Sequence, residues 1–513
     1  TDGDATERWD PIAAARRAFL DDATARRLAA TNGPFAAAIW DGDRRRLELI
    51  TDRHGMYPIY VASYRSAFLF SGQIKGIWAV GVVPTDVDPL AICLMLSTGE
   101  LVSDITLFRN IRLLSAGSRT TVSASGMESE NYWGYEFQER DDLDFSAAAQ
   151  QLGGLLRRGV ERICRHSSSV GVPLSGGLDS RVLLAATPDP ADVPSFTWGV
   201  EGCRDLRYAS AAADAVGSPH QSFVFDGGYL KRLAAFGVWL TEGQLPAVDF
   251  HVLPYVVEVA RKCDVILNGY AGDAILGGNF IKKNWWCATT REKAAAALWQ
   301  WRDIQCPADF RHRILGKAME GCDFTDARKA FEGALMAMPG ETPMGAAQAF
   351  LLAHRVRRRT SCGTALMRWR VESDHPFFDN DFFDFAGSLP YGWRYRHRLY
   401  LEVMRRCFAE VAGVRWQRTG LPAGAPYALM FCALALHKLD RIRVTKRFFK
   451  GRQVSDFGGW MRGPLRGYIT DLLTDARTLD RGWFVADTVR AALNDHLEAR
   501  ADHSSFIGSM ISL

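Results

Sequence analysis

Val170-Gly-Val-Pro-Leu-Ser-Gly-Gly-Leu-Asp-Ser-Arg181 joins an apolar run to a glycine turn and then to the start of a helical pattern. This order predicts a buried strand, a tight turn and a helix N-terminus. Such a junction binds anions, because the first helical N–H groups lack intrahelical partners and the helix dipole favours negative charge there. Ser175 and Ser180 add hydroxyl donors, and Asp179 predicts a bridging Mg²⁺ because a carboxylate alone would repel phosphate. The alternative is a glycine-rich turn without a ligand; the coincidence of these features favours the anion site.

Ser175-Gly-Gly-Leu-Asp-Ser180 resembles the pyrophosphate-binding loop of the ATP pyrophosphatases. These enzymes split ATP into AMP and pyrophosphate by adenylating a substrate oxygen. Asparagine synthetase, β-lactam synthetase and the lasso peptide cyclases resemble one another in this loop. The resemblance implies the type of reaction, with ATP and Mg²⁺ as cofactors, and it leaves the substrate open.

A second glycine cluster, Asn268-Gly-Tyr-Ala-Gly-Asp-Ala-Ile-Leu-Gly-Gly278, follows the apolar run Val265-Ile-Leu267, which predicts another buried strand. Ligands of parallel sheets bind beyond the carboxyl ends of the strands, so we expect both glycine loops to face one crevice. Asp179 and Asp273 then hold one Mg²⁺ against the triphosphate, since Mg²⁺ takes one or two carboxylates together with phosphate oxygens. The alternative for Asp273 is a helix N-cap.

The segment between the two loops alternates predicted strands and helices, which is typical of a parallel, doubly wound sheet. The predicted elements are a helix over 145–165, strands over 195–199 and 221–225, and helices over 206–215, 229–240 and 252–262. After residue 285 the chain is predicted to be helical and is rich in Trp and Arg. We expect Arg355-Val-Arg-Arg-Arg359 to be a solvated helix face. The alternative is that these arginines bind an acidic peptide.

Family resemblance also implies roles for single residues. Tyr270 falls where β-lactam synthetase has a catalytic tyrosine. The alternative is that Tyr270 has a structural role and stacks its ring over the nucleotide. That family pairs its tyrosine with a glutamate, and this sequence has Thr360 at the aligned position. Arg398 and Arg418 fall near lysines that contact phosphates in relatives, and their alternative is surface ion pairing.

The adenine of the family packs on the segment Ser195-Phe-Thr-Trp-Gly199, so Leu174 and Trp198 are candidate base contacts, with core packing as their alternative. Glu372–Asp381 resembles the Glu-x-Arg-x-Pro-Phe-x-Asp segment of the family, which is architectural. The nucleotide-binding residues implied by the resemblance are Leu174, Ser175, Gly176, Gly177, Asp179, Ser180, Thr197, Trp198, Asn268 and Gly269.

The N-terminal part is predicted to be β-rich, with strands over 35–40, 47–51, 59–61, 67–70 and 119–122, after a helical start over 1–31. Asn32–Asp41 and Asp52–Tyr60 resemble the glutaminase half of asparagine synthetase. In that family this half opens with a catalytic N-terminal cysteine, which uses its own α-amine as base. The first cysteine here is Cys93, inside an apolar helical pattern. We therefore expect residues 1–140 to be a scaffold without glutaminase activity; the alternative is a cysteine on residues upstream of Thr1.

The predicted fold class is α/β: an N-terminal glutaminase-like (Ntn-type) α+β sandwich domain over 1–140 without a catalytic Cys, and an ATP-pyrophosphatase domain over 141–513. The second domain contains the doubly wound parallel sheet with helical C-terminal additions. A net charge of +4 over 513 residues, with both signs interspersed, gives no argument for nucleic-acid binding. No apolar run is long enough to span a membrane. Ten cysteines without metal-ligand spacing are typical of a reduced cytoplasmic protein.

The C-terminal third looks most like lasso peptide cyclases, which close a macrolactam between the α-amine of a core peptide and an Asp or Glu side chain. The resemblance thus implies a precursor peptide as substrate, and a leader peptidase and a leader-recognition protein as partners. Three alternatives stay open: an asparagine synthetase, a small-molecule cyclising ligase such as β-lactam synthetase, and a nucleotide-binding regulator without activity.

Overall fold

The computed structural model describes residues 27–28, 30–276, 280–440 and 454–513. The helix predicted over 1–31 lies almost wholly outside these residues, as do Gly277 and Gly278 of the second glycine cluster. The chain forms two compact units. The first comprises residues up to Asp86 together with Ser103–Tyr135, and the second comprises Val87–Val102 and Glu136–Leu513.

Seven antiparallel strands and one short helix, Ile74–Trp78, build the described part of the first unit. The strands form a four-stranded sheet of order β1-β2-β6-β7 and a three-stranded sheet of order β4-β3-β5. Their bounds are β1 Ala36–Asp41, β2 Arg46–Thr51, β3 Tyr60–Tyr64, β4 Ala67–Ser71, β5 Arg112–Leu113, β6 Ser118–Ser123 and β7 Gly126–Asn131.

Alternation along β3 explains how these sheets pack. Val61 points to one face and joins Leu49 of β2 in a buried cluster, which makes the two sheets a sandwich. Tyr60 and Ala62 point to the opposite face and pack on Ile74 of the short helix. The five predicted strands are confirmed, and β5 and β7 were missed. All six residues of β7 are exposed, so this strand lacks the apolar alternation that sequence reading requires.

The helix Pro89–Thr98 belongs to the second unit, although it interrupts the first in sequence. Asp88 caps its start through the Leu90 N–H, and Gly99 ends it at a φ of +69°. Its residues from Ala91 to Thr98 are buried, and Cys93 is among them. A helix that is apolar on all sides is stable only when it is surrounded by a hydrophobic core, and residues 87–102 accordingly belong to the larger unit.

A five-stranded parallel sheet is the centre of the second unit, as predicted. Its order is β10-β9-β8-β11-β12, so β11 lies on the other side of β8 from β9. The strands are β8 Val170–Pro173, β9 Ser195–Gly199, β10 His220–Val224, β11 Val265–Leu267 and β12 Glu372–Asp374. This order places a topological switch point between β8 and β11, where open α/β sheets bind their ligands. β12 was not predicted as a strand.

Helices connect these strands and form most of the remaining chain. Those that follow or precede the strands are Phe145–His166, Asp179–Ala186, Arg204–Val216, Gly228–Thr241 and Val256–Ala260. The later helices are Gly272–Leu276, Lys283–Trp286, Arg291–Arg302, Ala308–Arg311, Phe324–Met336, Pro343–Phe350, Ala365–Arg368, Asn380–Gly387, Tyr391–Arg394, Arg398–Cys407, Ala409–Ala412, Tyr427–Asp440, Phe457–Arg462, Arg466–Thr474, Ala476–Leu479, Ala486–Leu497 and Ser504–Ser512. Within the described ranges, no helix is both long and apolar enough to cross a membrane.

Two helix predictions need correction. Residues 252–262 are not one long helix: a 3-10 helix runs over Ala247–Tyr255, and an α-helix follows only over Val256–Ala260. Pro254 lies inside the 3-10 segment, and a proline there removes a backbone donor that an α-helix would need.

The second correction concerns Arg355–Arg359, which was predicted to be a solvated helix face. This segment lies in a π-helix, Leu351–Thr360, and Arg358 is buried. Nε of Arg355 lies 3.4 Å from the buried Glu100 carboxylate, and Nη2 of Arg359 lies 3.1 Å from Asp249. These arginines are not solvated because they pair with carboxylates from distant elements, and those pairings are not visible in the sequence.

Candidate functional site

The loops that follow β8 and β11 meet at the switch point of the parallel sheet. The N–H of Asp273 donates to Oδ2 of Asp179 at 3.2 Å, which joins the second loop to the first. Glycine permits this approach: a Cβ on Gly272 would lie 2.6 Å from Cγ of Asp179, and one on Gly269 would lie 3.1 Å from its Cβ. The two loops therefore form one crevice at the carboxyl ends of adjacent strands.

Side-chain acceptors hold the first glycine turn in place. Ser175 N–H donates to Oγ of Ser180 at 2.9 Å, and Gly177 N–H donates to Oγ of Ser175 at 3.1 Å. Gly176 N–H donates to Oδ1 of Asp205 at 3.0 Å. These three N–H groups are thus engaged within the protein. The hydroxyls of Ser175 and Ser180 share a hydrogen bond of 3.1 Å, so one of them donates to the other. The donors that remain for an anion are the other hydroxyl and the first N–H groups of the helix Asp179–Ala186, which have no intrahelical acceptor.

Arg181 stabilises this turn from its buried side, a role that the sequence pattern did not predict. Its fully buried guanidinium donates to the carbonyl oxygens of Gly177 at 2.7 Å and of Gly176 at 2.9 Å. It also donates to the carbonyls of Val414 and Arg415, both at 2.9 Å. Burial lowers the pKa of Arg181 to about 10, which still leaves it charged at neutral pH. One side chain therefore ties the phosphate loop to a segment far along the chain.

The segment that Arg181 holds contains Arg418, one of the predicted phosphate contacts. Gln417 N–H donates to the Gly176 carbonyl at 3.1 Å, so Arg418 follows a residue that touches the loop directly. Its guanidinium lies 5.7 Å from the centre of the Trp416 ring. Arg418 is half-buried, and its contact with phosphate stays a prediction.

Arg398 is exposed, and its guanidinium lies 4.8 Å from the centre of the Phe145 ring. Its contact with phosphate stays a prediction. The neighbouring His397, rather than Arg398, points to the crevice: its Nε2 lies 2.7 Å from Oδ1 of Asp273. Sequence reading missed His397, because a lone histidine carries no signal of its partner.

The Asp179 and Asp273 carboxylates form an acidic pair with an unusual electrostatic state. Burial, and then the charge of Asp273, raise the pKa of Asp179 to about 7. The neighbouring phenol of Tyr400 lowers it in part, and the pKa of Tyr400 itself is raised well above its ordinary value, chiefly by burial. A divalent cation between the carboxylates would relieve this repulsion. Two oxygen ligands at a phosphate-binding turn fit Mg²⁺, which takes its remaining ligands from phosphate and water.

Around this pair, the described residues contain no group of three or more His, Cys, Asp or Glu side chains that could hold a metal alone. A cation at Asp179 and Asp273 would therefore depend on oxygen atoms of the bound nucleotide. This donor set is suited to a substrate-bridging ion rather than to a permanent structural metal.

The candidate adenine contacts lie on two neighbouring strands: Leu174 directly follows β8, and Thr197 and Trp198 belong to β9. Leu174 is buried, and its carbonyl accepts a hydrogen bond of 2.7 Å from Oγ1 of Thr197. Core packing therefore explains Leu174 and Thr197 well. Trp198 is half-buried and stacks on Tyr255, with ring centroids 6.5 Å apart at 18°. Its indole keeps accessible surface for a base.

Tyr270 belongs to a buried polar network on the second loop. Its N–H donates to Oδ1 of Asn268 at 3.2 Å, and Nδ2 of Asn268 donates to Oγ of Ser373 at 3.4 Å. Its ring stacks on His375, with centroids 5.9 Å apart at 24°. Burial raises the pKa of Tyr270 to about 12, so the phenol keeps its proton at neutral pH. In this state it donates a hydrogen bond and is a poor base.

Thr360 is not the partner of the Tyr270 hydroxyl. Its Oγ1 lies 3.5 Å from the carbonyl of Arg355. A Cβ on Gly363 would lie 3.3 Å from Oη of Tyr270, so the backbone at Gly363 lies beside this hydroxyl. The tyrosine–glutamate pair of β-lactam synthetase therefore has no counterpart at Thr360.

Comparison with known proteins agrees with this arrangement. A family model described as asparagine synthase matches residues 151–416, and a glutamine amidotransferase domain model matches residues 19–133. A putative glutamine-hydrolysing asparagine synthetase of Methanocaldococcus jannaschii is 27% identical over 263 residues, which is 49% of this chain and 51% of that protein. Asparagine synthetase 3 of Bacillus subtilis is 26% identical over 269 residues, covering 48% of this chain and 43% of that protein.

A putative asparagine synthetase of Mycobacterium tuberculosis is 27% identical over 265 residues, covering 48% of this chain and 40% of that protein. The match spans about half the length of these curated relatives or less. The resemblance of the C-terminal third to lasso peptide cyclases stays a prediction. Because the asparagine synthase model covers just over half of the sequence and includes both glycine loops, the chain belongs to the asparagine synthase family of ATP-dependent amide ligases.

Proposed function

We propose that this protein forms an amide bond by adenylating a substrate carboxylate with ATP and Mg²⁺. The observation that carries the proposal is the contact between Asp179 and Asp273 across two glycine loops at the switch point of the sheet. A triphosphate at this crevice would meet the Ser175 and Ser180 hydroxyls and a helix N-terminus. Mg²⁺ held by the two aspartates would neutralise part of its charge.

In the first step a carboxylate oxygen of the substrate attacks the α-phosphorus of ATP. The new O–P bond forms as the bridging bond between the α- and β-phosphoryl groups breaks, and pyrophosphate leaves. Arg418 is the cation that we propose to stabilise the charge on the departing pyrophosphate; it follows Gln417, whose N–H donates to the carbonyl of Gly176 in the first loop. Arg181 acts from behind, because it keeps the turn and the Arg418 segment in one arrangement.

In the second step an amine attacks the acyl carbon, loses a proton and displaces AMP. The Tyr270 phenol, protonated and held beside the second loop, is suited to donate a hydrogen bond to the oxygen of the acyl group. We do not propose Tyr270 as the base that accepts the proton of the amine. Its pKa of about 12 keeps the phenol protonated at neutral pH, so it has no free site for that proton.

We propose that the amine comes from the substrate itself. Cys93 is buried in a helix of the second unit, and burial raises the pKa of its thiol far above the ordinary value. A buried thiol of this kind is a poor nucleophile for glutamine hydrolysis. The glutaminase-like unit then serves as a scaffold, and the substrate carries both the carboxylate and the amine.

The substrate class we propose is a ribosomally made core peptide, cyclised by joining its α-amine to an Asp or Glu side chain. The C-terminal resemblance to lasso peptide cyclases and the Trp- and Arg-rich helices after residue 285 support a peptide rather than a free amino acid. The partners proposed with it are a leader peptidase and a leader-recognition protein. A cytoplasmic location fits the scattered, unpaired cysteines.

A second candidate function is asparagine synthesis from aspartate and glutamine. It is favoured by the names of the relatives and by the glutamine amidotransferase match over residues 19–133. Small-molecule cyclisation, as in β-lactam synthetase, is favoured by Tyr270, and the position of Thr360 counts against it. A degenerate nucleotide-binding regulator is opposed by the intact Ser175–Ser180 loop and Asp273.

The discriminating experiment supplies candidate substrates to the purified chain with ATP and Mg²⁺. A leader-free or peptidase-treated precursor peptide should lose the mass of one water, with stoichiometric AMP and pyrophosphate. An Asp179→Asn variant provides the matched control, since it keeps the size of the side chain and removes its charge. An unchanged peptide mass, with free aspartate converted to asparagine instead, would establish the second candidate.

A further inference from the structure

One short segment reaches both aspartates of the crevice. His397 is the last residue before the helix Arg398–Cys407, and Tyr400 lies in its first turn. Nε2 of His397 lies 2.7 Å from Oδ1 of Asp273. The buried hydroxyl of Tyr400 makes no hydrogen bond among the described residues, and it is close enough to Asp179 to lower the pKa of that carboxyl. Both side chains are buried, with 3% of His397 and none of Tyr400 exposed.

The backbone delivers the imidazole at a conformational cost. Arg396 and His397 both adopt left-handed φ values, 53° and 64°. Two consecutive non-glycine residues rarely do so, and such a conformation persists only where the surroundings demand it. It turns the chain sharply before the helix begins, which brings His397 to Asp273. Backbone strain of this kind is common beside functional groups.

The far side of the imidazole is packed as well. The ring of His397 meets Trp416 edge-on, with centroids 4.9 Å apart at 71°. The next residue, Gln417, donates its N–H to the carbonyl of Gly176 in the phosphate loop. His397 is therefore fixed between the carboxylate of the second loop and the segment that braces the first.

Packing alone does not account for these two polar groups. Leucine at 397 and phenylalanine at 400 would fill similar volumes without burying an imidazole nitrogen or a hydroxyl, and burial of polar groups costs free energy. Groups that contact metal ligands from outside orient them and tune their affinity. Asp273 and Asp179 each have one such neighbour, and both neighbours come from the same helix start.

We propose that His397 and Tyr400 are positioning residues that orient the Asp273 and Asp179 carboxylates to share one divalent cation on the nucleotide. The inference rests on the proposed function for the presence of that cation. The start of the helix Arg398–Cys407 would then align the aspartates of both loops. Neither residue needs to touch the nucleotide.

The test measures Mn²⁺ binding by electron paramagnetic resonance, with an ATP analogue whose α- and β-phosphorus atoms are joined by a methylene group. His397→Phe keeps the contact with Trp416 and removes the hydrogen-bonding nitrogen; Tyr400→Phe removes one hydroxyl. Each should weaken Mn²⁺ binding about 10- to 100-fold, the usual effect of losing such a contact. His397→Gln, whose amide N–H can reach Asp273, should recover most of the affinity.

His496→Gln is the matched control, because His496 is also fully buried and accepts a hydrogen bond from His503 N–H at 3.0 Å rather than serving the crevice. Its Mn²⁺ affinity should equal that of the unaltered protein. In steady-state assays His397→Phe should raise the KM for Mg·ATP more than it lowers kcat, and circular dichroism should show a folded protein.

Folded His397→Phe and Tyr400→Phe proteins that bind Mn²⁺ as the unaltered protein does would overturn the positioning role and leave the proposed function standing. A His397→Gln protein as weak as His397→Phe would contradict orientation through this hydrogen bond. An unaltered protein that binds no Mn²⁺ with the analogue would refute the inference and the proposed function together.

Discussion

The guanidinium of Arg181 donates to the carbonyl oxygen of Val414 at 2.9 Å, across 233 positions of sequence. The same side chain also holds the carbonyls of Gly176, Gly177 and Arg415. The phosphate loop and the segment of Arg418 are therefore parts of one rigid site. If the site binds a nucleotide as we propose, it is organised before that nucleotide arrives, which favours catalysis.

Arg181→Met should destabilise the fold, because it leaves several buried carbonyl oxygens without their donor. We expect a loss of about 3 kcal/mol in the free energy of unfolding, measured by urea denaturation. Arg181→Lys should also be destabilising, since an ammonium group cannot serve four carbonyls as a planar fork does. Arg165→Met, at an exposed ion pair with Glu161, is the control and should change stability by less than about 0.5 kcal/mol. Equal losses at both positions would contradict this stabilising role.

Gly272→Ala should displace the Asp179 carboxylate, because the added Cβ would lie 2.6 Å from its Cγ. Pyrophosphate release should fall by at least about 10-fold while the protein stays folded. Gly333→Ala is the matched control: no atom lies within 4 Å of its added Cβ, and it is inside the helix Phe324–Met336. That change should stabilise the protein by about 0.5–1 kcal/mol and leave turnover unaltered. Normal turnover in Gly272→Ala would argue against close packing of the two loops.

His375 should make stability depend on pH. Burial lowers its folded-state pKa from 6.5 to about 3, so between those pH values the unfolded chain binds a proton that the folded protein does not. Stability therefore rises with pH across this window, by about 1.4 kcal/mol per pH unit from this group, and is lost as pH falls.

His375→Phe keeps an aromatic ring against Tyr270 and removes the titrating group. The dependence of the unfolding free energy on pH, measured between about pH 4 and about pH 6, should therefore become weaker. His354, also buried with its pKa lowered to about 3, is the second group expected to contribute in the same direction. An identical slope in the His375→Phe protein would show that the imidazole is charged when folded.

Glutamine should be neither hydrolysed nor able to accelerate amide formation. The buried, high-pKa thiol of Cys93 is unsuited to attack an amide, so Cys93→Ser should leave the reaction with a peptide substrate unchanged. The measurement is glutamate production during turnover with ATP. Glutamate formed in step with AMP would overturn the scaffold role of the first unit and favour the asparagine synthetase alternative.

Sequence patterns predicted the parallel sheet because short predicted strands alternate with helical patterns, and the apolar runs of β8 and β11 lead directly into loops with glycines. They predicted that the loops after β8 and β11 face one crevice, because glycines and an aspartate follow β8 and recur after β11. Phosphate binding at this crevice stays a prediction. β12 was missed because only three residues, Glu372–Asp374, pair with β11, and they alternate no apolar side chains.

The residues that sequence reading missed have their partners far away along the chain. Arg181, Asp205 and His397 each serve a loop residue through contacts that only the folded sheet creates. For Arg398 the family resemblance implies a phosphate contact, which stays a prediction, and the structure shows its guanidinium against the Phe145 ring. Charged side chains are reliable markers of function only when their partners are known.

The central claim is that Asp179 and Asp273 share one cation on the nucleotide, and the most direct test is pyrophosphate release in Asp179→Asn, Asp273→Asn and the double variant. We predict that each single change reduces the rate by at least about 100-fold in a folded protein, and that the double change is no worse than either, because both remove the same ion. A rate close to that of the unaltered protein in either single variant, or losses that multiply in the double variant, would contradict the shared site.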